Sequence, residues 1–269
     1  MQSFPAIAVE LIKISQPGFL PPIQAGINAA QCEIVAFIDD DAEAYPDWLE
    51  QIERCYADPS VGGVGGRVVN IFDGQERKYE PAKVFGKFHW YGRIEGNLYK
   101  DGAGELPIEV DCFMGGNMSY RKAILNKISV DMNLNNAVAA NYEIDLGLQA
   151  KEMGYRLLYA PMAKVNHFSA GHTGDSPRKD TKETFYWLNF NRGYLVAKHV
   201  YGVRLFCVLI YEFFIGQFMT WGLLSALWFV MKHRKNPEFL FQAIFGRIAG
   251  IKAALTLANS RSLRTHSPT

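Results

Sequence analysis

The apolar run Ile34-Val35-Ala36-Phe37-Ile38 and the three carboxylates that follow it, Asp39-Asp40-Asp41, constrain this chain more than any other feature. Five consecutive apolar residues of β-branched and aromatic type read as a strand covered on both faces. Unpaired carboxylates cannot stay in a core, so the strand must end at a cleft, a ligand or solvent. Ligands of open α/β sheets collect at the carboxyl ends of strands, and clustered hard oxygen donors suit Mg²⁺ or Mn²⁺. A solvated acidic turn leading into the next helix is the other reading of the same residues.

The flanking pattern has a strand-helix rhythm. Residues 9–14 alternate weakly and read as a strand, and Pro21-Pro22 opens a helix to about Ala30. After the apolar run, Pro46 opens a helix with Trp48, Leu49, Ile52 and Tyr56 at helical spacing, closed by Asp58-Pro59. Residues 64–71 and 108–113 are expected to be strands, separated by long loops rich in Tyr, Gly and Lys. A short helix is expected over 120–126 and a second over 141–152, ended by Gly154. Short strands over 156–159 and 163–167 and a helix over 181–200 complete an α/β pattern.

With 28 basic and 27 acidic residues the formal net charge is +1, so nothing in the charge balance attracts nucleic acid, and no nucleic-acid partner is expected. Cys32, Cys55, Cys112 and Cys207 lie far apart without a CxxC pair, which argues against a zinc site or a disulfide framework. Residues 1–5 lack the pattern of a secretory signal, so the folded domain is expected to face the cytoplasm. Composition changes after His199. Residues 205–231 are apolar apart from Glu212, Gln217 and a few small polar side chains, and about 20 such residues cross a bilayer. The best span is 213–231, giving a transmembrane helix. Lys232-His233-Arg234-Lys235 beyond it and Arg192, Lys198 and Arg204 before it make both flanks basic, which leaves orientation open. A crossing, a shallow or re-entrant helix and a soluble core helix are the three readings, with membrane association expected. Residues 239–252 set isolated cations among apolar residues, as an interfacial helix or one packed on the preceding domain would. The expected divisions are a domain over 1–200, a membrane-associated helical region over 201–258 and a polar, fraying tail over 259–269.

Four stretches resemble, in order and spacing, the family 2 glycosyltransferases of the GT-A fold: FIDDDAEAYPDWLE (37–50), YADPSVGGVGGRV (56–68), FMGGNMSYRKAIL (113–125) and NYEIDLGLQAKEMGYRLLYAP (141–161). The similarity runs over roughly residues 10 to 200. It implies a GT-A-like mixed, mostly parallel sheet flanked by helices, with the C-terminal apolar helical region appended. It also implies a hexosyltransferase-type reaction, in which sugar passes from a nucleotide-diphosphate donor to an acceptor hydroxyl with inversion. Asp39 and Asp41 match the D-x-D motif, whose Mg²⁺ or Mn²⁺ neutralises the departing diphosphate. His167 stands where members often place a histidine against metal or diphosphate, a structural histidine being the alternative. Gly115, Gly116 and Asn117 would offer backbone N–H groups to phosphate or else mark a tight turn. Arg121 would meet the diphosphate or solvent, and Trp48 would stack on a sugar or pack in the core.

The family's base lies in an E-D-x-D-like motif at a helix start, where the helix dipole favours an ionised carboxylate. Here the residues are Tyr142-Glu143-Ile144-Asp145, so Glu143 takes the place of the catalytic Asp, with Asp145 assisting. An acidic first turn that merely favours the helix is the alternative. The extra methylene of Glu143 moves its carboxylate by on the order of 1 Å, a shift that can cost about 100-fold in rate. Members also open with a strand, a Pro-x-Tyr/Phe-Asn-like turn and a strand ending in an Asp beside the nucleotide base. Nothing before Val9 supplies these, and Ile23-Gln24 stands for a usual Arg-Asn pair. Three accounts follow: an incomplete chain, a protein partner supplying the missing N-terminal half, or a degenerate protein that no longer binds donor. Exposed strand edges would make the isolated chain poorly soluble. The acceptor would be a carbohydrate, lipid-linked or protein hydroxyl in cell-surface polysaccharide, glycolipid or glycoprotein glycan synthesis. The rival classes are an inactive GT-A-like scaffold or assembly partner and a metal-dependent nucleotidyl or phosphoryl transferase.

Overall fold

A computed structural model describes residues 9–168, 182–217, 220–233 and 238–265. In chain order these form α1 (Leu20–Ala29), β1 (Ile34–Ile38), β2 (Ala42–Ala44), α2 (Trp48–Cys55) and the long β3 (Val61–Phe72). Short strands β4 (Gln75–Glu76), β5 (Lys87–Phe88), β6 (Ile94–Glu95) and β7 (Ile108–Val110) punctuate the loops that follow. Next come β8 (Asn117–Arg121), α3 (Lys122–Leu125), a 3₁₀ turn at Met132–Leu134, α4 (Tyr142–Glu152) and β9 (Arg156–Phe168). The C-terminal part contains α5 (Lys182–His199), α6 (Gly202–Phe214), a hairpin of β10 (Gly216–Gln217) and β11 (Thr220–Trp221), α7 (Leu223–His233) and α8 (Glu238–Thr265).

The main sheet follows the path β1-β8-β3-β9-β2, with β4 added to β3 and β7 to β9. It is mixed and flanked by helices, but the ladder is not mostly parallel: among the described strands only β3 and β9 pair in parallel. Parallel neighbours need a crossover. The helical connections do make β1, β3 and β9 run the same way, yet β8 enters from loops between β1 and β3 and separates them with two antiparallel ladders. Alternation on β8 builds the core on both faces. Met118 and Tyr120 join Leu146, Leu157 and Tyr159 on one side. On the other, Trp48 and Ile52 of α2 pack on Val61, Val64 and Val165.

Several local expectations change in three dimensions. Residues 9–14 form no strand: Val9 is 81 % exposed, and no described strand lies alongside to complete a ladder. Tyr120 lies within a strand and the helix starts only at Lys122, because β8 is buried between β1 and β3. The two short strands expected over 156–167 are halves of β9, joined through an irregularity that shifts its register against β3 between Gly66 and Arg67.

The expected 213–231 span is not one helix. A hairpin separates α6 from α7, turning at Gly216 with φ +66°. By length and composition alone, one described helix is long and apolar enough to cross a membrane, over Leu240–Leu257 of α8. That helix lies along α5, and a side chain at Gly246 or Gly250 would overlap the carbonyl oxygens of Tyr186 and Phe190. The polar tail is helical to Thr265. Residues 1–5, Arg234 and Lys235 of the basic cluster, and the last four residues lie outside the described ones.

Candidate functional site

The acidic triplet sits where β1 leaves the sheet. A turn closed by the Ala42 N–H donating to the Asp39 carbonyl (3.1 Å) leads into β2, which pairs with the end of β9 and sets Ala42 opposite His167. The Phe168 N–H donates to the Asp41 carbonyl at 2.8 Å and fixes the two segments together. Register therefore brings Asp41 Oδ1 to 3.3 Å from His167 Nε2, although the residues are far apart in sequence. Asp39, Asp41 and His167 each offer a ligand atom, all within 4.8 Å of one another. Asp40 is exposed and is not part of this cluster. Two carboxylates and an imidazole are a donor set that fits a divalent ion such as Mn²⁺ or Mg²⁺.

Gly116 presses its backbone against this cluster. Its φ is +87°, and a Cβ there would lie 2.5 Å from Asp39 Oδ2, so neither its conformation nor its position leaves room for a side chain. Gly115 and Gly116 line a cleft of about 380 Å³ together with Asp39, His167, Tyr142 and Glu143. Glu143 lies in the first turn of α4, where the orphan N–H groups and the dipole favour its ionised form. Asn141, the residue before the helix, takes the left-handed conformation (φ 72°) and so swings the chain from the cleft rim into α4.

Four other sequence-selected residues do not face this cleft. Asn117 is buried, and its amide bonds the Arg67 and Ala163 carbonyls at 3.0 and 2.9 Å, bracing the β3–β9 irregularity. Its Oδ1 accepts the Trp48 indole N–H at 2.9 Å, which holds Trp48 in the core rather than on a sugar. Bulges of this kind recur beside functional sites because they re-aim the strand that follows. The Arg121 guanidinium is taken by the carbonyls of Val61, Tyr56 and Asp58 and by Glu33, and stacks on the Tyr56 ring. It clamps the opposite end of β8.

Asp145 is the fourth. It is 1 % exposed and bonds Lys198 Nζ (2.7 Å), His199 Nε2 (2.6 Å) and Gln149 Nε2 (2.8 Å). Lys198 also meets Asp131 at 2.8 Å, and His199 Nδ1 meets Glu152 at 2.6 Å. Burial alone would push the His199 pKa down, but its two carboxylate partners outweigh that and raise it. Burial likewise opposes ionisation of Asp131, yet the Lys198 ammonium brings its pKa down to about 2. Asp145 thus pins α4 to α5 and does not line the cleft.

The cleft also holds Phe19, Asn70, Thr184 and Leu188, which no motif singles out. Asn70 comes from the far end of β3 and the other two polar-apolar neighbours from α5. Only the alternation of β3 past the glycines hints at Asn70.

The model of the family described as glycosyl transferase family 2 matches residues 9–129, a segment that contains the acidic triplet and the Gly-Gly turn. A curated relative, glucosyl-dolichyl phosphate glucuronosyltransferase of Haloferax volcanii, is 29 % identical over 148 residues, which are 53 % of this chain and 45 % of that protein. Among solved structures, GalNAc-T7 with UDP, GalNAc and Mn²⁺ superposes with a TM-score of 0.47 at 11 % identity, over 80 % of this chain and 45 % of that one. The chain spans just under half the length of each.

Proposed function

We propose that this protein is a divalent-metal-dependent glycosyltransferase that passes a sugar from a nucleotide-diphosphate donor to an acceptor hydroxyl, with inversion. The observation that carries this reading is that Asp39, His167 and Glu143 line one cleft, with Asp41 held beside His167. A bound Mg²⁺ or Mn²⁺ would supply positive charge for the departing diphosphate. Asp39, Asp41 and His167 would hold that ion, and the backbone at Gly115 and Gly116 leaves room for the phosphates. Glu143 takes the acceptor proton as the hydroxyl attacks, the task that requires an ionised carboxylate at the helix start. Asp145, Lys198 and His199 keep that carboxylate in place.

Membrane association belongs to the same reading. Val203, Phe206, Phe213, Trp228, Met231, Phe241 and Phe245 are exposed on α6, α7 and α8, more apolar surface than a soluble chain usually presents. A lipid-linked acceptor is the class that a face resting on lipid would serve. A role as assembly partner draws on one observation: among the described residues β1 has a ladder neighbour on one side only.

Calorimetric titration of the full chain with UDP- and GDP-sugars in Mn²⁺, followed by assay for nucleoside diphosphate release, tests the proposal. Metal-dependent binding and release are expected. Binding without release assigns a scaffold, and release of pyrophosphate or phosphate assigns the rival transferase class.

A further inference from the structure

The C-terminal helices divide their surfaces between two environments. Along α8, Ala243, Gly246, Arg247, Gly250 and Ala254 form a buried inner face, on which Gly246 and Gly250 press against the Tyr186 and Phe190 carbonyls of α5. Phe241, Phe245, Ile248 and Leu255 recur at helical spacing on the outer face and are 41–60 % exposed. The contact with α5 runs along the whole of Leu240–Leu257, the stretch long and apolar enough for a span. Lys182 pairs with Glu238 just before it, and Tyr194, Ala197 and Lys198 share a cavity wall with Ala254 and Leu257 at its end. α5 belongs to the folded domain, with Tyr194 and Ala197 in the core and Thr184 and Leu188 in the cleft wall. A helix fastened to a domain along one flank can offer lipid only the other, which is the arrangement of an interfacial helix and not of a span.

α6 and α7 are too short to cross. With 13 and 11 residues they reach about 20 and 16 Å, against a hydrocarbon core of about 30 Å. The hairpin that turns at Gly216 keeps them from joining into one rod. Each carries an exposed apolar stripe: Val203, Phe206, Ile210 and Phe213 on α6, and Leu224, Leu227, Trp228 and Met231 on α7. Phe206, Ile210 and Phe213 line one groove with Ile244 and Ile248, so the stripes of α6 and α8 open to the same side. Glu212, the acid of α6, is turned inward and buried against Arg192.

The charge left on this surface is positive. Among the α6, α7 and α8 residues whose side chains are described, the exposed ionised groups are Arg204, Lys232, Lys252 and Glu238, and Glu238 is already paired with Lys182. Lys232 Nζ sits 4.5 Å from the Trp228 ring centroid, a basic head beside an amphipathic ring. Lys and Trp together are the residues that anchor protein at a membrane interface. The domain contributes a second ring. Arg204 Nε and Nη2 donate to the Trp90 and His89 carbonyls at 3.0 and 3.3 Å, which fastens the β5–β6 hairpin to the start of α6 and leaves Trp90 66 % exposed there.

We infer that α6, α7 and α8 lie in the plane of one leaflet of an anionic bilayer, with Trp90 at the same surface, and that none of the described helices crosses it. The apolar stripes enter the acyl boundary, while Lys232 and Lys252 carry their ammonium groups to lipid phosphates on long apolar stems. This inference rests on the membrane association proposed above, gives it a topology and a lipid class, and is independent of donor, metal and turnover.

Flotation of the full chain on vesicles of phosphatidylcholine, alone or mixed with phosphatidylglycerol, tests the surface. Saturable binding is expected and is stronger on the mixed vesicles. Lys232→Gln and Lys252→Gln should each weaken it by about fivefold, the worth of one cation near an anionic surface. Trp228→Ala and Trp90→Ala should each weaken it by about tenfold at an unchanged melting temperature, the worth of one large apolar side chain withdrawn from lipid. Equal binding to both compositions, or indifference to the lysine or the tryptophan variants, overturns the inference. Topology is read in sealed inverted membrane vesicles from expressing cells, by reaction of a membrane-impermeant maleimide with Arg204→Cys, Lys232→Cys and Thr256→Cys. All three are expected to label above the unaltered chain without detergent. A site protected until detergent is added overturns the in-plane arrangement and leaves membrane association standing. Flotation on neither composition by a chain that elutes as a dimer gives the face to a second copy and defeats both. Nucleoside diphosphate release bears on the transferase reading alone.

Discussion

The cleft and the network beneath α4 are made of the same residue types, carboxylates and histidine, and they treat charge in opposite ways. In the network every ionised group faces a partner of the other sign: Asp145 meets Lys198 and His199, Asp131 meets Lys198, and Glu152 meets His199. At the cleft, Asp39 lines the wall and the exposed Asp41 sits beside the same single imidazole. Paired charge holds elements together, whereas clustered like charge is held apart by the fold and calls for a cation. The two carboxylates of the first turn of α4 divide between these regions, Glu143 to the cleft and Asp145 to the network.

This contrast is open to direct attack. Glu143→Gln should lower turnover by about 10²- to 10⁴-fold, the range for removing a general base, with donor affinity and melting temperature retained; steady-state kinetics beside donor titration check it. Asp41→Ala should weaken Mn²⁺ binding by roughly 100-fold, on the scale of a lost ligand shell. Without metal it should melt close to the wild-type temperature, since the repulsion from Asp39 that it removes offsets the lost half-exposed contact with His167. A lower melting temperature would show that the cleft charges are structural. Asp145→Asn should instead reduce stability by about 3 kcal/mol, because it strands buried cations. Chemical denaturation measures that loss, and equal affinity for the donor separates positioning from binding.

The network also fixes a pH dependence. His199 has a raised folded pKa, so its contribution is complete below the unfolded value of about 6.5 and is lost as pH rises through the folded value. Asp131 has a folded pKa of about 2, so its contribution holds above the unfolded value of about 3.9 and disappears as pH falls toward 2. Melting temperature should therefore fall on raising the pH above about 6.5, and Asp145→Asn should flatten that slope. The smallest effect belongs to Trp48→Phe, which deletes one buried hydrogen bond to Asn117. A loss of about 1 to 2 kcal/mol without change in donor affinity is expected, and a change in affinity would return Trp48 to the cleft.

Local chemistry made much of this legible before any coordinates. The run at 34–38, the helix after Pro46 and the helix start at 142 each carry their signal within a few residues. Asp39, Asp41 and His167 are legible singly, but their approach depends on β2 pairing with β9, a long-range register that no local pattern states. Asn117, Trp48 and Arg121 mislead for one reason: a polar group that completes the bonds of a bent strand has the same letter as one that binds a ligand. The apolar stretch at 205–231 misleads by composition, since the turn at Gly216 interrupts what hydrophobicity alone would join. Residues 9–14 alternate like a strand, but alternation needs a neighbour to pair with, and none of the described strands supplies it.

The glycine crossing between α5 and α8 leaves no cushion of side chains in which the two rods could slip. α5 also carries Thr184 and Leu188 into the reaction chamber, while α8 turns Phe241 and Phe245 outward. A push on the outer rod is thus handed to the chamber wall almost undamped. On the proposed reading, a bilayer wetting those two rings would be a mechanical boundary condition on turnover as well as a place to rest.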